Sequence, residues 1–148
     1  MPLKEDVKPK ARLLSRDALP DGYALREPTG GRYEIAASDG LWKEFKDDVN
    51  AEARTRIETT MEEYRSRGPR FQPSLFEFEG HYEGQGLKVR IEAFKGWGVR
   101  LYGFCATVAG LSTFIVTGSD FKKKTVKAKA RALRAAGTEV VRVKKLIG

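Results

Sequence analysis

The chain has 148 residues, enough for one compact domain with a sizeable core, so neither a disulfide framework nor several large domains is required. Its 28 Lys and Arg residues outnumber 20 Asp and Glu residues, and the net charge of +8 favours an anionic partner, with nucleic acid first. The single cysteine, Cys105, excludes an intramolecular disulfide and a cysteine-based zinc cluster, and it favours a reducing, cytoplasmic location.

Residues 1–30 predict an N-terminal extension. They hold four of the six prolines and show little apolar periodicity, and residues 1–10 lack the apolar core of a secretory signal. The extension is either flexible or laid as a strap over the domain, which is expected to span residues 31–148.

Regular structure is predicted from residue 33 onward. Residues 33–35 (YEI) alternate apolar and charged side chains, which predicts a short strand, and residues 38–40 (SDG) supply capping chemistry for a helix. Apolar residues then recur every three or four positions over residues 42–64, which predicts an amphipathic helix packed on a sheet. Poor helix formers at residues 47–50 leave two alternatives open, one long helix or a helical hairpin. Gly68-Pro69 predicts the end of this helical segment.

Four further segments predict β-strands: residues 75–79, 87–94, 99–108 and 112–119. Between the first two, three glycines predict a loop that contains the only histidine, His81, interpreted as a surface residue. Residues 101–119 carry no charge and are long enough to cross a bilayer. Ala109-Gly110 reads as a turn, however, and this favours two buried strands joined by a hairpin, with no membrane partner.

The C-terminal segment predicts a basic helix. Val126, Ala130 and Leu133 mark its buried side, and Gly137 is expected to end it. Residues 140–147 then form either a terminal strand or a second short helix. The predicted fold class is α+β: a small antiparallel sheet with an N-terminal helix or helical hairpin, a C-terminal basic helix, and the helices on one face.

The positive charge is concentrated at the C-terminus. Residues 121–148 contain ten basic residues and one acidic residue, a net charge of +9, whereas the rest of the chain has 18 basic and 19 acidic residues, a net charge of −1. This run follows an apolar strand directly, so we interpret it as a phosphate-binding surface mounted on the fold.

Several local sequences occur in an order that resembles the RelE/ParE toxin superfamily, in particular its HigB-like, phage-derived branch. They are a helix stop at residues 67–69 (RGP), strand sequences at residues 87–91 (LKVRI) and 98–104 (GVRLYGF), and FKKKT at residues 121–125 before an Ala/Lys/Arg-rich helix. The resemblance covers residues 32–137. It implies the toxin of a type II toxin-antitoxin module, an mRNA endoribonuclease that inhibits translation.

The resemblance also implies site residues and partners. By matching position, Arg100 and Lys122 or Lys123 stabilise the transition state, Arg90 supports them, and Tyr102 stacks on a base or transfers a proton. The reaction needs no metal and no cofactor. The implied partners are RNA, including ribosome-bound mRNA, and a cognate antitoxin protein that binds the helices.

The residue pattern adds a geometric expectation for the same site. In the two-residue alternation of their strands, Arg90 and Arg100 both fall on the side opposite to the apolar residues. Both are therefore expected to face one concave surface, with the lysines at residues 122–124 at its edge. Further contacts to phosphates or bases are assigned to Lys124, Lys127, Arg131, Arg134, Lys95 and Trp97.

Alternatives remain open at several of these positions. Arg90 acts either in catalysis or in a structural pair with Glu77 or Glu79, and Cys105 is interpreted as a buried apolar residue. Toxins of this superfamily often carry a His or Tyr near the C-terminus, and this chain has neither after Tyr102. Two other functions therefore stay open: a non-catalytic phage or prophage nucleic-acid-binding or interaction protein on the same scaffold, and a ParE-type gyrase inhibitor.

Overall fold

The computed structural model describes residues 19–27, 32–68, 76–96, 98–121 and 126–147. Within these ranges the elements are β1 (Tyr23–Leu25), β2 (Tyr33–Ser38), α1 (Asp39–Asp48), α2 (Ala51–Arg67), β3 (Phe76–Gly84), β4 (Leu87–Gly96), β5 (Val99–Val108), β6 (Leu111–Asp120) and α3 (Val126–Ile147). The α+β class and the C-terminal helix are confirmed. Part of the N-terminal segment belongs to the packed domain, because β1 pairs with β2.

All six of these strands form one sheet, in the order β1-β2-β6-β5-β4-β3. β2 and β6 are parallel, and the other neighbouring pairs are antiparallel. The prediction of a small, purely antiparallel sheet is therefore wrong. The α1–α2 segment carries the chain from β2 to the far edge, and the β3–β6 meander returns to β2 with β6 running in the same direction.

The predicted helical segment consists of two helices, α1 and α2, and not of one long helix. The Ser38 hydroxyl caps α1 by accepting from the Leu41 N–H at 3.3 Å. The chain leaves the helix at Val49, and the Asn50 side chain caps α2 by accepting from the Ala53 N–H at 2.9 Å. Gly68 ends α2 with a φ of 86°, a conformation that favours glycine. A Cβ atom at this position would also overlap the Tyr33 ring.

The helices cover both faces of the sheet, so the prediction of helices on one face is wrong. α3 packs on one face through a core that includes Ala93, Tyr102 and Ile115. α1 and α2 pack on the other face through an aromatic core around Tyr64, whose ring centroid lies 5.6 Å from that of Phe94. We call these the α3 face and the α1–α2 face.

α3 is one continuous helix, so Gly137 does not end it and neither alternative for residues 140–147 holds. Gly137 is buried where α3 crosses the ring of Tyr82, and a Cβ atom there would lie 2.6 Å from Tyr82 Cβ. Gly137 allows the helix to pack closely on the sheet. From the sequence alone, a glycine with this role looks the same as a glycine that ends a helix.

The uncharged segment 101–119 forms strands, as predicted. β5 and β6 join at a two-residue turn in which Ala109 and Gly110 have φ values of 51° and 85°. None of the helices in the described parts of the chain has the length and apolar character needed to cross a membrane.

Candidate functional site: three charged surfaces

The two strand arginines lie on opposite faces of the sheet. Arg100 is directly opposite Lys95 in the β4–β5 register, and side chains opposite each other share a face. Arg90 lies five positions before Lys95 on the same strand, so its side chain points the other way. The prediction that both arginines face one surface is wrong, because parity along each strand does not give the register between strands.

Arg100 lies on the α3 face within an ionic cluster. Its Nε lies 3.4 Å from Oε1 of Glu79 on β3, and its register partner on β6 is the buried Asp120. Tyr102, two positions along β5, is only 2% exposed. Burial, reinforced by the negative charge of Asp120, raises the pKa of Tyr102 to about 12. Tyr102 is therefore a protonated core residue without the exposure that base stacking needs.

Arg90 lies on the α1–α2 face in a different setting. Its guanidinium carbon lies 4.1 Å from the ring centroid of Phe78, an exposed aromatic residue, and its Nε lies 3.6 Å from Oε2 of Glu92. The His81 ring lies 5.0 Å from the Phe78 ring, on strand β3 and not in a loop. Of the two carboxylates predicted as partners of Arg90, that of Glu79 pairs instead with Arg100, and the Glu77 side chain lies outside the described part of the chain.

Cys105 shares this face, and the prediction that it is buried is wrong because the residue is exposed. Its sulfur lies 3.8 Å from the Tyr64 hydroxyl. Desolvation, together with the negative charge of Glu92, raises the pKa of the Cys105 thiol to about 12. The thiol is therefore protonated near neutral pH.

The solvent side of α3 carries exposed cations. Arg131 and Arg134 are exposed, one turn of the helix apart. Glu139 accepts hydrogen bonds from Arg142 Nε and Nη2 at 2.9 and 2.7 Å and from the Tyr23 hydroxyl at 2.6 Å. The only acidic residue after position 120 is thus committed to Arg142 and to β1.

Some predicted site residues lie outside the described residues. These are Trp97 and the run Lys122, Lys123 and Lys124. Lys127 belongs to α3, but its side chain is also outside the description.

A cleft between α2 and the β4–β5 hairpin brings two predicted residues together with others that the sequence analysis missed. It has a volume of about 630 Å³ and includes the predicted Lys95 and Arg100. The residues that line the α2 side are Thr55, Arg56, Thr59, Thr60 and Glu63. Their spacing of four residues was a usable signal, since it places them on one side of the helix.

The fold and these surfaces define an α+β domain with a basic C-terminal helix. Comparisons with protein-family models, with curated proteins and with solved structures find no match. Among the described residues, no cluster of three or more His, Cys, Asp or Glu side chains has the arrangement of a metal site.

Proposed function

We propose that this protein binds RNA through α3 and acts as a toxin that cleaves mRNA and so inhibits translation, paired with an antitoxin protein. The observation that carries the proposal is the excess of positive charge at the C-terminus, mounted on a helix that shares a face of the sheet with Arg100. An RNA backbone supplies the repeated negative charge that such a surface attracts.

The positive charge of α3 is available to a partner because the only acidic residue of the helix, Glu139, is already ion-paired with Arg142. Glu139 pairs with Arg142 and Tyr23, so Arg131 and Arg134 have no acidic side chain within their segment to neutralise them. Both arginines are exposed and lie one turn apart, and arginine suits phosphate oxygens because of its planar array of donors.

Arg100 is the strand arginine that we place in the reaction. It lies opposite Asp120, the last residue of β6, and Lys122 and Lys123 follow Asp120 closely in the sequence. Guanidinium and ammonium groups stabilise the extra negative charge of a pentavalent phosphorus transition state. Arg90, on the α1–α2 face, has no part in this proposal.

The α3 face also offers a proton acceptor. Glu79 lies 3.4 Å from Arg100, and in the proposed step its carboxylate takes the proton of the ribose 2′-hydroxyl. The 2′-oxygen then attacks phosphorus, the bond to the 5′-oxygen breaks, and Lys122 or Lys123 protonates that leaving oxygen. The products are a 2′,3′-cyclic phosphate and a free 5′-hydroxyl.

A second candidate is RNA binding without cleavage, on the same scaffold. The burial of Tyr102 and the location of His81 on the opposite face favour it, because neither residue is placed to transfer a proton beside Arg100. The two candidates share the basic surface and differ only in chemistry at Arg100 and Glu79.

Induced expression in bacteria tests the proposal. We expect wild-type protein to arrest growth and cleave mRNA, and Arg100→Ala to lose both activities while retaining RNA binding. Arg90→Ala removes the same charge from the opposite face and is expected to arrest growth like the wild type. Thermal melting of both variants checks that they fold.

The other outcomes discriminate among the candidates. RNA binding without arrest or cleavage supports the second candidate, and DNA-damage signalling in place of translation arrest supports a gyrase inhibitor. Full toxicity of a folded Arg100→Ala variant contradicts the site assignment.

A further inference from the structure

β3, the edge strand of the described sheet, carries an exposed aromatic pair on the α1–α2 face. The ring centroids of Phe78 and His81 lie 5.0 Å apart, and both residues are exposed, Phe78 at 41%. In the described parts of the chain, Leu146 is the only other large apolar residue with so much of its surface exposed. Two exposed rings side by side provide a flat surface on which another ring can stack.

A β-bulge puts the two rings on the same face. Residues three positions apart in a regular strand point to opposite faces of the sheet. In β3 the register shifts between Phe78 and Gly80, so that Phe78 is opposite Glu92 and His81 is opposite Arg90, two residues that share a face. Bulges are common at sheet edges and beside active sites, where they redirect a side chain. This bulge assembles the aromatic pair.

The charges around the pair are balanced, so the patch suits the flat face of a base better than a phosphate. The Arg90 guanidinium carbon lies 4.1 Å from the Phe78 ring centroid, and Arg90 Nε lies 3.6 Å from Oε2 of Glu92. Lys88 is directly opposite Glu83. Stacking of a base on an aromatic ring needs no excess of positive charge at the ring itself.

α3 crosses the same stretch of β3 on the other face of the sheet. A Cβ atom on Gly80 would lie 3.5 Å from Leu133 Cδ2, and the hydroxyl oxygens of Thr138 and Tyr82 lie 3.0 Å apart. The exposed Arg134 directly follows Leu133 and lies one turn before Thr138. The cations of α3 and the aromatic pair therefore flank one edge strand.

We propose that an unpaired base of RNA stacks on Phe78 and His81, while phosphates of the same RNA strand contact Arg131 and Arg134 across the edge of β3. Aromatic side chains bind the bases of single strands in this way, and a base that is stacked inside a duplex is not accessible to them. The inference rests on the proposed binding of RNA by α3, and it adds a preference for single strands.

Fluorescence anisotropy with the full chain tests the proposal. The probes are a labelled single-stranded RNA and the same RNA annealed to its complement, and the quantity compared is the ratio of the two affinities. Phe78→Leu keeps an apolar side chain but removes the ring, and we expect it to lower this ratio about tenfold, which is the contribution of one stacked base. Phe78→Tyr keeps the ring and is expected to keep the ratio.

Control variants separate stacking from other effects. Leu146→Ala removes the other exposed large apolar side chain, and it is expected to leave both affinities unchanged. Arg90→Ala keeps both rings and is expected to keep the ratio. Arg131→Gln combined with Arg134→Gln is expected to weaken the binding of both RNAs, because both present phosphates.

His81 provides a readout that does not rely on variants, because it is the only histidine of the chain. Its imidazole ring protons are therefore the only ones of their kind in the NMR spectrum of the untagged protein. We expect a stacked base to shift these signals through its ring current when single-stranded RNA is added, and the duplex to leave them nearly unchanged.

Three results overturn the inference. They are a ratio that Phe78→Leu does not lower, a ratio that Phe78→Tyr lowers as much as Phe78→Leu, and His81 signals that do not respond to single-stranded RNA. If the Arg131→Gln and Arg134→Gln pair still weakens RNA binding in that case, only the stacking is wrong and the proposed function stands. The absence of binding to either RNA contradicts both proposals.

Discussion

Two glycines set how closely α3 approaches the sheet. Gly118 on β6 lies beneath Ala136, where a Cβ atom would be 2.6 Å from Ala136 Cβ, and Gly137 lies over the ring of Tyr82. Neither position has room for a methyl group without a shift of backbone or ring. Both glycines are therefore packing residues, and the basic helix owes its position to them.

Replacing Gly137 by Ala is expected to destabilise the protein. A mid-helix Gly→Ala change ordinarily gains about 1 kcal/mol. Here the added methyl group would lie 2.6 Å from Tyr82 Cβ and 2.8 Å from Cδ1, and overpacking of this kind costs about 1–3 kcal/mol, so the clash outweighs the gain in propensity. Urea unfolding is expected to give a lower free energy of unfolding.

Gly40→Ala is the matched control for this change. Gly40 lies in the first turn of α1, and a Cβ atom there meets nothing within 4 Å. We expect a gain of up to about 1 kcal/mol in the free energy of unfolding. If Gly137→Ala raised the free energy of unfolding as much as Gly40→Ala, α3 would not pack against Tyr82 at Gly137.

At the scale of elements, one hydrogen bond ties the short strand β1 to α3. The Tyr23 hydroxyl donates to the Glu139 carboxylate at 2.6 Å, across 116 positions of sequence. The hydrogen bonds from Arg142 and from Tyr23 hold the pKa of Glu139 below its ordinary value. Burial and the neighbouring Glu139 raise the pKa of Tyr23, so this hydroxyl stays protonated through the neutral range.

Tyr23→Phe is expected to lower the free energy of unfolding by about 1 kcal/mol at pH 7. A carboxyl whose pKa is lowered in the folded state stabilises that state above its unfolded pKa and loses this contribution as the pH falls. The cost of Tyr23→Phe is therefore expected to shrink as the pH falls below 4.5, the ordinary pKa of a glutamate carboxyl, and on through the lower pKa that Glu139 has in the folded state. Urea unfolding at pH 7 and pH 3 measures the difference.

A double-mutant cycle with Glu139→Gln isolates this contact from other effects of each change. We expect the two substitutions to couple at pH 7 and to couple more weakly at pH 3. Additivity at both pH values, or a cost of Tyr23→Phe that is the same at both, would remove the role of this bond in holding β1.

Local patterns predicted most elements but not how the elements meet. Two-residue alternation placed β4 and β5 correctly, and capping residues together with poor helix formers indicated the break between α1 and α2, because those signals act over a few positions. The faces of Arg90 and Arg100 depend on the register between strands, which parity within each strand does not contain. Gly137 is similar, since its role is set by Tyr82, which lies 55 positions earlier.

Across the whole molecule, the charged groups are divided between two faces of one sheet. Arg90, Glu92 and Phe78 lie on the α1–α2 face, whereas Arg100 and Glu79 lie on the α3 face with the C-terminal helix. The proposed site for an anionic backbone therefore lies on the α3 side, with Arg100 and Glu79, and does not include Arg90 on the α1–α2 side.

This division predicts how RNA affinity depends on salt. Each phosphate that a cation neutralises contributes about −0.7 to the slope of log K against log salt concentration for single-stranded RNA. Arg131→Gln combined with Arg134→Gln is therefore expected to make the slope shallower by about 1.4. Arg142→Gln removes the same kind of charge, but Glu139 already neutralises Arg142, so the slope is expected to change little. Fluorescence anisotropy with a labelled single-stranded RNA, over a range of potassium chloride concentrations, measures all three slopes. An equal change in the Arg142→Gln variant, or a wild-type affinity that does not respond to salt, would show that the exposed side of α3 is not the surface that RNA contacts.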